Sequence, residues 1–164
     1  MAGNLKKLAV CAAVTLGSVA LAQEEAAPAA AQVPTSEEAK RVVEYYLKGQ
    51  GQGPVLLDAK LCAEVSKSGE NKFECIEEVP AEGVKANSRV TVWQAYMLPQ
   101  GDTVEDIMVQ VKHGEIVRET KDVKVTGGLR TRSWPSVRLN KSGDWSITIL
   151  RGEQVLKKFD VKVL

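Results

Sequence analysis

The sequence predicts a mainly β chain, an antiparallel β-sandwich of about seven strands preceded by one N-terminal amphipathic α-helix. From Leu56 onward, apolar and polar residues alternate at the period of half-buried strands. The strand candidates recur at roughly 8–12-residue spacing with Gly-rich turns between them. The only helical periodicity in the mature region lies ahead of a Gly-rich run at residues 49–53.

Residues 1–22 read as a secretory signal peptide. Lys6 and Lys7 give a positive start, residues 8–21 an apolar run, and Ala20-Leu21-Ala22 a small-residue cleavage site, so cleavage is expected after Ala22. The run is shorter than the roughly 20 residues of a membrane span. It ends on Gln23-Glu24-Glu25, and no transmembrane span is expected in the mature chain. Cys11 sits inside the apolar run rather than closing it, which disfavours a lipid anchor. The expected location is periplasmic or secreted, in a bacterium. Loss of Lys6 and Lys7 takes the 22 basic residues to 20 against 21 acidic ones. That balance argues against a nucleic-acid partner, which calls for a basic excess.

Residues 23–34 are rich in Ala, Glu, Pro and Gln without apolar periodicity and read as a disordered tether. Thr35-Ser-Glu-Glu38 fits a capping box, with a hydroxyl at the N-cap and a glutamate three residues on. The helix is expected to run to about Lys48, with Ala39, Val42, Val43, Tyr46 and Leu47 as its apolar stripe. Residues 35–53 thus form a helix and a Gly-rich linker, and residues 54–164 the sandwich. The glycine run follows a helix, precedes Pro54 and lacks Lys-Ser/Thr, so it is no phosphate loop.

Residues 61–66 and 73–79 flank a turn composition at residues 67–71, predicting a hairpin about Ser68-Gly69. In the register summing to 137, Cys62 faces Cys75 and Leu61 faces Ile76. The next strand, residues 89–97, carries bulk on both faces and is expected to be central. In residues 105–112, Ile107, Val109 and Val111 point inward, and His113-Gly114 turns the chain into residues 115–117. Val123 and Val125 continue or follow that strand, and Gly127-Gly128 is expected to break it. Residues 129–139 follow, with Pro135 calling for an edge or a bulge. Trp145, Ile147 and Ile149 share one face of residues 144–151. Residues 151–154 then turn into a last strand with Leu156, Phe159, Val161 and Val163.

Cys62 and Cys75 are the only cysteines of the mature chain, an even pair in an exported protein, and a structural disulfide is expected. Two cysteines and the lone His113 do not supply the four ligands of a structural zinc site. No metal or other cofactor is expected.

No catalytic arrangement emerges either. A nucleophile needs a neighbouring base, and His113 is assigned to an exposed turn apex. Glu24-Glu25 lies in the tether, Glu37-Glu38 in the helix's first turn, and Glu77-Glu78 on opposite faces of a strand. One cluster qualifies as a binding face: Arg130, Arg132 and Trp134 share one side of a strand by the period-2 rule. Arg138 joins them if Pro135 leaves the register unshifted. Guanidinium groups beside an indole suit an anionic glycan, a lipid head group or an acidic partner loop.

Arg130-Thr-Arg-Ser-Trp134, Ser142-Gly-Asp-Trp-Ser-Ile147 and Gly152-Glu-Gln-Val-Leu156 with Phe159-Asp-Val161 resemble the DUF2914 family of exported or membrane-tethered bacterial domains. The resemblance covers about residues 89–164. It implies an immunoglobulin-like sandwich and transfers no activity or catalytic residue.

The functional expectation is a non-enzymatic periplasmic or envelope module that binds a protein partner. The alternative is a small-ligand or glycan-binding domain of the envelope.

Overall fold

The computed structural model describes residues 33–47 and 53–164. The expected signal peptide, its cleavage after Ala22, tether residues 23–32 and linker residues 48–52 lie outside the described residues. Val33 and Pro34 have no regular secondary structure.

Among the described residues one helix precedes seven antiparallel strands: α1 (Ser36–Leu47), β1 (Val55–Val65), β2 (Cys75–Glu78), β3 (Ser88–His113), β4 (Ile116–Ser133), β5 (Ser136–Leu139), β6 (Gly143–Arg151) and β7 (Gln154–Val163). The mainly β class expected from the alternation is the one observed.

The helix starts as its capping box dictates. Glu38 N donates to Thr35 Oγ1 at 3.2 Å, and Thr35 N donates to Glu38 Oε2 at 2.8 Å. Its docking face departs from the expected stripe. Val42 and Tyr45 pack on the sheet, while Val43 and Tyr46 are 56% and 49% exposed. Glu38, only 5% exposed, takes the inward position one turn earlier. A glutamate there is invisible to a reading of apolar residues alone, because a charged partner on the sheet is what brings it inside.

β3 and β4 organise the rest. Residues 88–97 of β3 pair with β1 on one side and with β5 and the end of β4 on the other. Residues 107–113 pair with β6 and with the start of β4. The expected strands 89–97 and 105–112 are therefore two halves of one 26-residue strand that bends between them. Gly127-Gly128 does not break β4 but lets it follow that bend. A Cβ on Gly127 would stand 2.2 Å from the Pro99 carbonyl oxygen, so only glycine permits the close approach.

The sheet thus folds over on itself around one core. Val90, Val92, Tyr96, Ile107, Val109, Val111, Trp145, Ile147 and Ile149 are buried together in it. The inward residues of the 105–112 and 144–151 segments are those the alternation predicts. The first half of β3 is central, as expected, and the strand is interrupted at Trp134-Pro135 before β5 begins, although Pro135 O still accepts from Val92 N at 2.9 Å.

Two local expectations need correction. The β1–β2 register pairs Val65 with Cys75 and Cys62 with Glu78, instead of Cys62 with Cys75. Phe73 adopts a left-handed φ of 67°, and Lys72 and Glu74 close turns onto Gly69 and Asn71, so the connection is longer than a two-residue apex. Ile76 is exposed as a result. His113 is not at a turn apex. It ends β3 opposite Ile116, with Gly114 (φ 56°) and Glu115 forming the turn. Its ring lies 4.8 Å from that of Trp145.

Candidate functional site

The outer face of the first half of β3 carries a second, smaller cluster: Val55, Leu57, Cys62, Trp93 and Ala95, covered by Val42 and Tyr45 of α1. The 66–75 segment packs over Trp93. The Cys62–Cys75 disulfide, with Cα atoms 5.7 Å apart, closes this segment against β1. Phe73 N donates to Ser66 O at 2.8 Å, and its carbonyl accepts Trp93 Nε1 at 2.7 Å. Its ring stacks on Trp134 at 4.8 Å and 17°. A left-handed conformation at a bulky residue costs about 1–3 kcal/mol and persists only where its surroundings impose it. These three contacts supply that constraint.

Arg130 and Arg132 both reach this segment. Arg130 Nη1 and Arg132 Nη2 donate to the same Glu74 Oε1. Arg130 Nε also donates to Glu38 Oε1 at 2.9 Å, and its guanidinium lies 5.4 Å from the Trp93 ring centre. The Arg132 side chain is 7% exposed, and its Nε is buried without a hydrogen-bond partner among the described residues. Burial alone would raise the Glu38 carboxyl, but the Thr35 N–H and then Arg130 outweigh it and hold it below the usual carboxylate value. Burial opposes the charge on Arg130, and Glu74 and Glu38 outweigh it in turn.

Of the four residues expected to form a face, Arg130, Arg132 and Trp134 thus converge, through Glu74 and Phe73. Arg138 does not join them: it is exposed on β5, opposite Arg89. The two buried guanidiniums fasten α1 and the disulfide segment to the sheet, and Trp134, 39% exposed, is the part that meets solvent. Glu38, Phe73 and Glu74 escaped the sequence reading as site residues. The capping box alone accounts for Glu38 in the sequence, and nothing local marks the other two.

A second feature lies where the folded sheet leaves its two margins side by side. Two cavities, of about 250 and 240 Å³, run between β1 and β7. Leu56, Leu61, Leu156 and Phe159 contribute apolar walls, and charged residues such as Lys60, Glu78, Arg41 and Glu44 line the rest. On the β1 margin, the outward carbonyl of Leu57 accepts from Arg41 and the outward N–H of Ala59 donates to Asp58 Oδ1 at 2.9 Å. Those edge groups are capped.

Among the described residues the β7 margin is capped only at its end. Lys162 O accepts from Val84 N at 2.9 Å and Leu164 N donates to Val84 O at 2.8 Å. By the antiparallel alternation, the backbone groups of Lys158 and Asp160 point the same outward way. Before Lys162, β7 pairs only with β6 among the described residues.

Among the described residues no group of three His, Cys, Asp or Glu side chains is placed to hold a metal ion, and no helix is long and apolar enough to cross a membrane.

No protein-family model matches the chain, so the likeness to DUF2914 rests on its three motifs alone, and no curated protein sequence matches it. Solved structures to which it is similar include an immunoglobulin-like protein from Pseudomonas aeruginosa, at 11% identity and a TM-score of 0.41, covering 65% of this chain and 92% of that one. Another is the C-terminal domain of wzt, at 13% identity and a TM-score of 0.42, covering 70% of this chain and 75% of that one.

Proposed function

We propose that the chain is a non-enzymatic interaction module of the bacterial cell envelope, and that it holds a protein partner by strand addition to the outer edge of β7. The observation that carries this reading is the margin at Lys158 and Asp160, unpaired among the described residues, beside a groove of mixed polar and apolar lining and opposite a β1 margin whose own groups are capped. An unpaired edge offers main-chain hydrogen bonds, and the groove offers pockets for alternate side chains. The engagement of Arg130 and Arg132 with Glu38 and Glu74 favours the edge over the Arg/Trp face as the docking surface. The Cys62–Cys75 disulfide fits an oxidising compartment outside the cytoplasm.

The test is affinity capture from envelope extract with the oxidised protein and with Lys158→Pro. The Lys158 N–H points away from β6, so proline there blocks the edge without removing a β6–β7 hydrogen bond. A stoichiometric protein retained by the wild type and lost from the variant supports the reading. Equal retention by both, or no retained protein, contradicts it.

A second reading rests on Trp134. Its stacked, part-exposed indole suits the apolar face of a sugar ring, in keeping with a glycan-binding envelope domain. Glycan-array signal abolished by Trp134→Ala, with no protein captured, favours it.

A further inference from the structure

The β7 edge carries one residue that a general strand acceptor has no use for. Lys157 pairs with Ile149, whose side chain is fully buried, and cross-strand partners share a face. By register Lys157 therefore lies on the same face of the edge strand as Phe159, with its side chain exposed. In β7 it falls between Leu156, which lines one cavity, and Phe159, which lines the other. Its Nζ lies 5.7 Å from the Phe159 ring centre. It has no carboxylate partner among the described residues. Lys158 on the solvent side, by contrast, is paired to Asp160 at 3.0 Å. A β-bulge between Ile149 and Leu150 adjoins the same position.

A lysine on an edge strand and a bulge beside it are devices by which edge strands refuse indiscriminate pairing. An apolar strand laid on β7 would cover the Lys157 ammonium and leave it without a counter-charge, which is costly. A strand that brings a carboxylate to the same place turns the penalty into a charge-assisted hydrogen bond. Lys162, also without a carboxylate partner among the described residues, lines the cavity beyond Phe159 together with Lys60, Glu78 and Asp160.

Resting on the edge-addition reading, we infer that β7 selects an extended acidic–apolar segment of its partner protein. The segment sets an apolar side chain over Phe159 and, two positions away on the same face, an Asp or Glu against Lys157. Lys157 is the specificity-determining residue: it rejects wholly apolar or basic strands and accepts acidic ones. The Lys158 and Asp160 backbones supply the main-chain hydrogen bonds.

The experiment is selection of a displayed random peptide library on the oxidised full chain, with the winners titrated against wild type, Lys157→Glu and Lys158→Pro. Far-UV circular dichroism and thermal melts check each variant's fold. The expected winners carry Asp or Glu two positions from an apolar residue. They are expected to bind Lys157→Glu about tenfold more weakly and Lys158→Pro not at all, and selection on Lys157→Glu is expected to yield Lys and Arg at the acidic position. Winners without an acid, or unaffected by Lys157→Glu yet lost with Lys158→Pro, overturn the inference and leave edge addition standing. Winners that bind Lys158→Pro as well as wild type, or no winners at all, overturn both.

Discussion

Arg130 Nε donates to Glu38 Oε1 at 2.9 Å, although 92 positions separate the two residues. Through this pair the helix cap and the sheet share one carboxylate, since the other Glu38 oxygen holds the Thr35 N–H. Glu38→Ala removes the cap's return bond and one partner of a largely buried ion pair. The expected loss is about 2–3 kcal/mol, read from urea unfolding. A loss near zero would mean that α1 docks independently of Arg130.

Acid should weaken the same contact. The folded Glu38 carboxyl titrates below its usual value of 4.5, so its contribution is complete above that pH and is lost as pH falls through the lowered folded value. Glu105, held low by Lys124, acts in the same direction at the surface. The diagnostic quantity is therefore the difference between wild type and Glu38→Gln in urea midpoint. That gap is expected to be constant from neutral pH down to about 4.5 and to shrink below it. A gap that widens in acid would contradict the assignment.

The disulfide closes a segment whose ends are 13 positions apart. Replacing both cysteines by alanine should cost about 3 kcal/mol through the entropy returned to the unfolded chain. The segment also carries Phe73 and Glu74, so Trp93 and Trp134 fluorescence should report its loosening in the folded state. Unchanged stability and unchanged emission would show that the Arg130–Arg132 clasp alone secures it.

Gly127 is the place where the folded sheet is tightest. The Cβ of Gly127→Ala meets Pro99 O at 2.2 Å, Gln100 Cα at 2.9 Å and Gly101 N at 2.9 Å, all of them backbone. The substitution should destabilise by about 1–3 kcal/mol, measured by thermal unfolding. A neutral result would place the bend elsewhere.

Much of the fold is legible in the sequence because its signals are local. Ile107, Val109 and Val111, like Trp145, Ile147 and Ile149, announce their burial by alternation alone, and Thr35 with Glu38 announces a cap by spacing. What escaped depends on distant partners. Alternation cannot tell that residues 88–113 form one bent strand, because the Gly127 contact with Pro99 exists only after folding. The helix turns Tyr45 rather than Tyr46 inward because Glu38 is drawn to Arg130, an interaction without a sequence signature. The Cys62–Cys75 pair follows from composition and compartment, but its register does not, since nothing marks Phe73 as left-handed. Of the candidate site, the convergence of Arg130, Arg132 and Trp134 follows from the period of a strand. Their burial against Glu74 does not, and an unpaired edge is a property of topology that no single strand displays.

Backbone hydrogen exchange of the free protein, resolved by residue along β7, examines the open edge most directly. Rapid exchange is expected at the Lys158 and Asp160 amides, which face outward, and slow exchange at Phe159 and Val161, which face β6. Protection of Lys158 and Asp160 equal to that of Phe159 and Val161 would mean that the margin is already covered, and the edge would then have nothing to offer a partner.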